Sequence, residues 1–453
     1  MLYDFITADK SIKTPMYRQI YLSIRTTIES GSLKKDTKLP SIRKLCDALE
    51  VSKTTVSSAY EQLCVEGYVY NKPQSGYFVA AQFSAPPSHE SENKKSMQKY
   101  SYAHYNFSGK SIDDKIINLT EWKKNIKDVI NSNYLLTSYG DTQGEKTLRD
   151  ALQKYALGVR SVNTSADNII IGAGTQPLLY LLCSLLGQNK LVAMDSNSFV
   201  QSEFVFKSFG YEIAYFESDK GGASVSSLER IHPDLILINP NFSGTEGLNM
   251  PVTRRLEIIE WAKRNNALII EDDYNGELRY STHPVPCVQN YDSQNTVYIG
   301  SFSKVLLPSV RISYIVMPDA LMNKYRKISR LTNQTASKIE QLALARYIST
   351  GKIDVHLRKA RRVYLEKSRA IIESIENHFG KCKIIFNETS LYLTINPGFQ
   401  FNQDKLKADL EANSVSVMPL QTKSNEISLS FSGIPIERID KGIEIIQNVL
   451  SHI

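Results

Sequence analysis

Lys304 ends the run Val297-Tyr-Ile-Gly-Ser-Phe-Ser-Lys and is followed by Val305-Leu-Leu-Pro308 and then Arg311. An apolar, strand-like stretch precedes it, and a second begins just after Arg311. A lysine between two apolar strands is poorly solvated, which lowers its pKa and frees its amine to attack a carbonyl. The hydroxyls of Ser301 and Ser303 and the guanidinium of Arg311 are what a phosphate needs beside that amine. A lysine Schiff base next to a phosphate site points to pyridoxal 5′-phosphate (PLP), with Lys304 as the covalent residue. A surface lysine in a turn is the plainer alternative, so the rest of the chain has to decide.

Other apolar runs end in suitable chemistry. Gly172-Ala-Gly174-Thr175-Gln176-Pro177 combines glycines, a hydroxyl and a proline suited to a first helical turn, which makes a helix N-terminus able to hold a phosphate. Glycine-rich loops also start many helices that bind nothing. Asp195-Ser-Asn-Ser-Phe199 places an aromatic where it can stack on a ring, although a core phenylalanine is the commoner fate. Leu268-Ile-Ile leads into Glu271-Asp272-Asp273-Tyr274, and consecutive acids at a buried strand end are costly unless a cation needs one of them. A protonated pyridine nitrogen would supply that cation, with Tyr274 bonding the ring hydroxyl. Spacing leaves open which acid it is, and Asp272 is our choice.

These residues need a scaffold. Apolar runs at 168–171, 191–194, 211–215, 235–238, 268–270 and 296–299 read as strands, with helical patterns such as 176–186 and 253–265 between them. Buried strands alternating with helices predict an α/β fold with a largely parallel sheet, whose ligands lie at the strands' carboxyl ends.

The first eighty residues differ. Tyr17, Ile20, Ile24 and Ile28 recur at helical spacing up to Gly31. Ser41 can cap a short helix through Leu49, and Ser52 a second helix to about Leu63. Two short helices joined by a tight turn predict a helix-turn-helix, with Lys53, Thr54, Thr55 and Ser57 crowding the end that enters a major groove. The alternating stretch 67–79, with its turn at 72–76, would form a wing. From about 81 to 110, Pro, Ser and mixed charges replace aliphatics, so we expect a flexible linker there. The expected domains are therefore 1–80, a linker 81–110, and 111–453.

Composition sets the outer limits. The chain has 453 residues, enough for two or three domains, and a net charge of +7 that permits a nucleic-acid partner. Its 5 cysteines form no Cys-x-x-Cys pair, which argues against a metal module or a disulfide framework and fits a reducing cytosol. No stretch is long and apolar enough to span a bilayer and no secretory leader is visible, so we expect a cytoplasmic protein with no membrane association.

The N-terminal segment resembles the GntR family of winged helix-turn-helix regulators in its Leu39-Pro-Ser-x-Arg43, Val51-Ser-x-x-Thr-Val56, Leu63-x-x-Glu-Gly67 and Gly76-x-Phe-Val79 patterns. That resemblance implies a double-stranded DNA operator contacted from Ser41, Arg43, Lys53, Thr54, Thr55, Ser57 and the wing around Gly76. The remainder resembles a fold-type I PLP enzyme of the class I/II aminotransferase family, with Tyr139-Gly-Asp-Thr-Gln-Gly144 as a further match. It implies that Lys304 carries PLP, Asp272 pairs with the pyridinium, Tyr274 meets the ring oxygen and Phe199 stacks. It also implies that Gly174, Thr175, Gln176, Ser301, Ser303 and Arg311 hold the phosphate, with Tyr139 reaching it from the second subunit of a head-to-tail homodimer. The combined layout resembles the MocR subfamily, which includes the GabR and PdxR types.

The departures from that pattern concern the substrate, not the cofactor. Ser428 stands where aminotransferases keep a carboxylate-binding arginine, and Gln201 where GabR-like members carry another. The turn at 239–247 is altered too. Arg279 is a possible substitute. Three readings follow: a regulator that responds to PLP itself, a regulator whose bound PLP senses an amine or amino acid, and a working aminotransferase. The missing arginine weighs most against the third and somewhat against the second, so efficient turnover is not expected.

Overall fold

The computed structural model describes residues 6, 13–81, 104–132, 135, 137–196, 198, 200–241, 249–279, 285–380, 382–420 and 425–452. The chain divides into two compact units, Met1–Ser101 and Tyr102–Ile453.

In the first unit, helices α1 (Met16–Glu29), α2 (Ile42–Leu49) and α3 (Lys53–Val65) are followed by the hairpin β1 (Val69–Lys72) and β2 (Gly76–Val79). The two expected caps are present: Ser41 Oγ accepts from the Lys44 amide at 3.3 Å, and Ser52 Oγ from the Thr55 amide at 3.2 Å. Ile20, Ile24 and Ile28 are fully buried against Val56, Ala59 and Leu63 of α3. Tyr17 departs from the expected apolar stripe: it is 39 % exposed, and Tyr21, one turn on, takes the buried place. The Tyr60 hydroxyl donates to the Pro40 carbonyl at 2.9 Å and so ties α3 to the turn before α2.

The second unit is built on a seven-stranded mixed sheet. Its strands are β4 (Ile169–Gly172), β5 (Leu191–Met194), β6 (Glu212–Tyr215), β7 (Leu235–Ile238), β8 (Leu268–Asp273), β9 (Thr296–Ser301) and β10 (Ser313–Val316). They lie in the order β4-β10-β9-β8-β7-β5-β6. Only β10 runs against its neighbours; the other pairings are parallel. Every residue of β4, β7, β9 and β10 is buried, as strands covered on both faces must be. A smaller antiparallel sheet holds β11 (Lys383–Phe386), β12 (Tyr392–Asn396) and β13 (Ile427–Ser430). It lies beyond the long helix Lys352–Phe379 in the chain.

The linker expectation needs correcting at its far end. Residues 104–110 belong to the second unit: β3 (Tyr105–Asn106) pairs in parallel with Val415–Ser416, and Phe107 is fully buried. Composition marks the stretch as polar, but its backbone is spoken for by a strand 310 residues away in sequence. Beyond it, Asp113 and Lys367 form a fully buried ion pair at 2.6 Å. Among the described residues, no helix is long and apolar enough to cross a membrane.

Candidate functional site

The carboxyl ends of β4, β5, β7, β8 and β9 converge on a cavity of about 540 Å³. How β8 delivers its acids follows from the period of a strand, whose side chains alternate between faces. Glu271 accepts from the amides of Val288 and Gln289 at 2.9 and 3.0 Å. Asp273 accepts from Arg160 Nε at 2.6 Å, Asn241 Nδ2 at 2.6 Å, the Tyr298 hydroxyl at 2.8 Å and the Gly276 amide at 3.1 Å. Asp272, between them, lines the cavity, and its buried Oδ1 has no hydrogen-bond partner among the described residues. The ambiguity in the acid triplet is thereby reduced: two acids are consumed by the protein, and one faces the space.

Burial, and secondarily the charge of Asp273, pushes the Asp272 carboxyl up to about 7; Glu271 is raised to about 7 by the same two causes. A raised acid keeps its proton in the folded chain while the unfolded chain has already lost it. Stability therefore falls as pH rises from about 4 towards 7. Asp272→Asn should stabilise the ligand-free protein by an amount that grows between pH 5 and pH 8, as read from melting temperatures at each pH. A constant difference would mean that Asp272 is ionised throughout.

The same cavity carries an anion cradle. Gly174 has φ +101° and precedes a helix, Thr175–Leu186, whose first amides receive no side-chain cap. A Cβ at Gly174 would lie 2.6 Å from Arg311 Nη2, so only glycine lets the guanidinium approach that closely. Arg311 Nη1 donates to Ser303 Oγ at 3.2 Å, and Ser301 Oγ accepts from the Ser303 amide at 3.3 Å and from Ser313 Oγ at 2.9 Å. Gly174, Thr175, Gln176, Ser301, Ser303 and Arg311 thus line one end of the cavity with donors and a cation.

Lys304 lines the same cavity. Its Nζ donates to the Gly109 carbonyl at 2.8 Å, and burial lowers its pKa below the ordinary lysine range. A desolvated amine is a ready nucleophile. Tyr274 lines the same cavity, and burial raises its hydroxyl pKa, keeping it protonated and able to donate.

Not every expected residue joins this cavity. Tyr139 does not line it and is fully exposed. Phe199 and the turn from 242 onward lie outside the described residues. Ser428 Oγ pairs with Thr394 Oγ1 at 2.9 Å and does not line the cavity; Arg279 also lies off it, 3.7 Å from Glu388. Gln201 does line it. Sequence reading missed Gly109, which composition assigned to the linker. It also missed Asn275, Ser390, and the small-sheet residues Tyr392 and Ser430, for which no local motif exists.

In the first unit, Arg43, Lys53 and Thr54 are exposed, and Ser41 serves as the α2 cap. Thr55 and Ser57 are half-buried; Thr55 Oγ1 lies 2.8 Å from Ser52 Oγ, and Ser57 Oγ donates to Glu61 at 3.0 Å. Gly76 opens β2 with φ +108°, beside the Lys38 side chain.

The aminotransferase class I and II family matches residues 108–445, and the bacterial regulatory proteins, gntR family, match residues 16–79. The chain is 33% identical to the uncharacterized HTH-type transcriptional regulator YhdI of Bacillus subtilis, over 96% of each chain. It is 26% identical to the HTH-type pyridoxine biosynthesis transcriptional regulator PdxR of Corynebacterium glutamicum, over 80% of this chain and 78% of that one. Among solved structures, the kynurenine aminotransferase of Pyrococcus horikoshii, in complex with PMP, superposes with a TM-score of 0.69 at 21% identity. That match covers 78% of this chain and 92% of the other.

Proposed function

Since the chain belongs to the aminotransferase class I and II family and carries a gntR-family module ahead of that body, we propose that it is a cytoplasmic transcriptional regulator that holds PLP and changes its grip on DNA in response. The observation that carries this reading is the Oδ1 of Asp272, buried without a hydrogen-bond partner among the described residues in a cavity that the phosphate cradle and Lys304 also line. When bound, PLP supplies an electrophilic carbonyl, a basic ring nitrogen and a phosphate. The residues fit each part. Lys304 offers the amine, Asp272 holds a proton at the ring nitrogen, and Tyr274 donates to the ring oxygen. Arg311, Ser301, Ser303, Gln176 and the helix amides after Gly174 receive the phosphate. Phe199 would stack on the ring.

The same geometry gives ligation a route to the rest of the chain. Lys304 is held by the carbonyl of Gly109, in the segment through which the chain enters this unit. An amine committed to the cofactor gives up that bond. Ligation is then felt where the DNA-binding unit is attached, and the two DNA-binding states must differ in ligand affinity for a switch to result. A head-to-tail homodimer, with the exposed Tyr139 offered to the second copy, completes the reading. The absence of a free cation at Ser428 supports a regulator without efficient turnover. Effector sensing by a small amine is a second reading, favoured by Asn275 (below).

The test is a titration of full-length protein against its own upstream DNA at stated salt, without and with PLP. A shift with PLP alone is expected. No specific DNA binding in any condition, together with turnover of an amino acid, would leave an enzyme as the answer. Lys53→Ala should weaken binding to all sequences alike and reduce the log–log salt slope by about 1, the mark of one lost phosphate contact. An unchanged slope would take Lys53 off the DNA.

A further inference from the structure

In the cofactor reading Lys304 meets the carbonyl, Arg311, Ser301, Ser303 and Gln176 the phosphate, Asp272 the ring nitrogen and Tyr274 the ring oxygen. Asn275 is left over. It lines the same cavity and is only 3% exposed, yet neither Oδ1 nor Nδ2 has a hydrogen-bond partner among the described residues. Its main chain is accounted for, since its carbonyl accepts from the Leu278 amide at 3.1 Å. Its side chain is not. A buried carboxamide without partners costs free energy that the fold alone does not recover. Such a group, placed on the wall of a pocket, is what a ligand would satisfy.

We infer that Asn275 is the specificity-determining residue for a second ligand: a small amine bearing a carboxamide, which enters the PLP-loaded pocket and exchanges hydrogen bonds with the Asn275 side chain. The inference rests on the cofactor reading above. Asparagine offers donors at Nδ2 and an acceptor at Oδ1, so only a neutral group that both accepts and donates answers both. A carboxylate would leave Oδ1 bare, and an ammonium would leave Nδ2 bare. The charges of the wall point the same way. Besides Lys304, Arg311 and Asp272, which the cofactor reading takes up, the charged residue among the described lining is Asp195, which disfavours a carboxylate. Sites built around buried polar groups discriminate strongly against ligands that leave those groups unpaired.

Three probes of one skeleton test this on the full-length, PLP-loaded protein: 3-aminopropanamide, 3-aminopropanoate and n-propylamine. Titrations followed through the visible absorbance of the cofactor should give 3-aminopropanamide a Kd at least about tenfold below the other two. Asn275→Leu should retain the PLP band, erase that preference, and raise the melting temperature of the ligand-free protein, because unpaired polar atoms have been replaced by apolar ones. Asn275→Asp, of the same shape, should also lose the preference. Equal affinities on the wild-type protein, or a preference that survives both substitutions, would overturn the inference. A lowered melting temperature in Asn275→Leu would do so as well, by giving the residue a structural role. If the wild-type protein forms no PLP band, the cofactor reading fails and this inference falls with it. A band without a preference removes only the inference.

Discussion

Replacing Lys304 with alanine is expected to abolish the visible band of PLP-treated protein and to weaken PLP retention by about two orders of magnitude, or about 2.8 kcal/mol. DNA affinity should at the same time stop depending on PLP. Both effects follow from one atom. Nζ of Lys304 is the pocket's only amine among the described lining, and burial lowers its pKa, which favours the free, nucleophilic form. It is also the group that grips the Gly109 carbonyl. Lys304→Arg separates the two roles, since a guanidinium can still donate to a carbonyl but does not attack one. The arginine variant should lose the band yet hold one DNA-binding state. If Lys304→Ala leaves the band and the DNA response as they were, the assignment of the pocket is wrong.

The second large effect is structural. Arg160→Leu should destabilise the large unit by about 3–5 kcal/mol, the range for breaking a buried ion pair by removing one partner. Arg160 and Asp273 are both fully buried, 2.6 Å apart, and Arg160 also donates to Asn241 Oδ1 at 3.2 Å and to the Val285 carbonyl at 3.3 Å. Without the guanidinium, the buried Asp273 side chain is left with only three neutral donors, Asn241 Nδ2, the Tyr298 hydroxyl and the Gly276 amide. Arg160→Leu combined with Asp273→Leu should be less damaging than the sum of the two single changes. Urea unfolding of the four proteins gives the coupling directly. Additivity would show that the pair contributes nothing beyond its separate contacts.

What was legible in the chain follows from the range over which each feature is encoded. The strands β4, β5, β7, β8 and β9 announce themselves because strands buried on both faces are nearly unbroken apolar runs, and the residues that follow or end β4, β8 and β9 display Gly174, Asp272 and Lys304 in order. The caps Ser41 and Ser52 are readable because a cap bonds an amide three residues on. Features made by distant residues were not readable. Arg160 meets Asp273 across 113 positions, and Gly109 meets Lys304 across 195. No periodicity connects such pairs. Asn275 escaped for a different reason: its significance is the lack of a partner, which only packing reveals. Which acid of the triplet faces the pocket needed the amides of Val288 and Gln289, supplied by a separate short helix.

The entry segment sets different length tolerances on its two sides. β3 is pinned to Val415–Ser416, the Gly109 carbonyl to Lys304, and Asp113 to Lys367, so residues 105–113 are fixed at three points of the large unit. Lengthening or shortening the chain before residue 104 leaves all three intact. A single residue inserted between Asn106 and Gly109 cannot, because it displaces the carbonyl by a full peptide step while both flanking anchors stay put. Spacers that vary the reach of the DNA-binding module therefore belong before residue 104, and one inserted after it would retune the pocket.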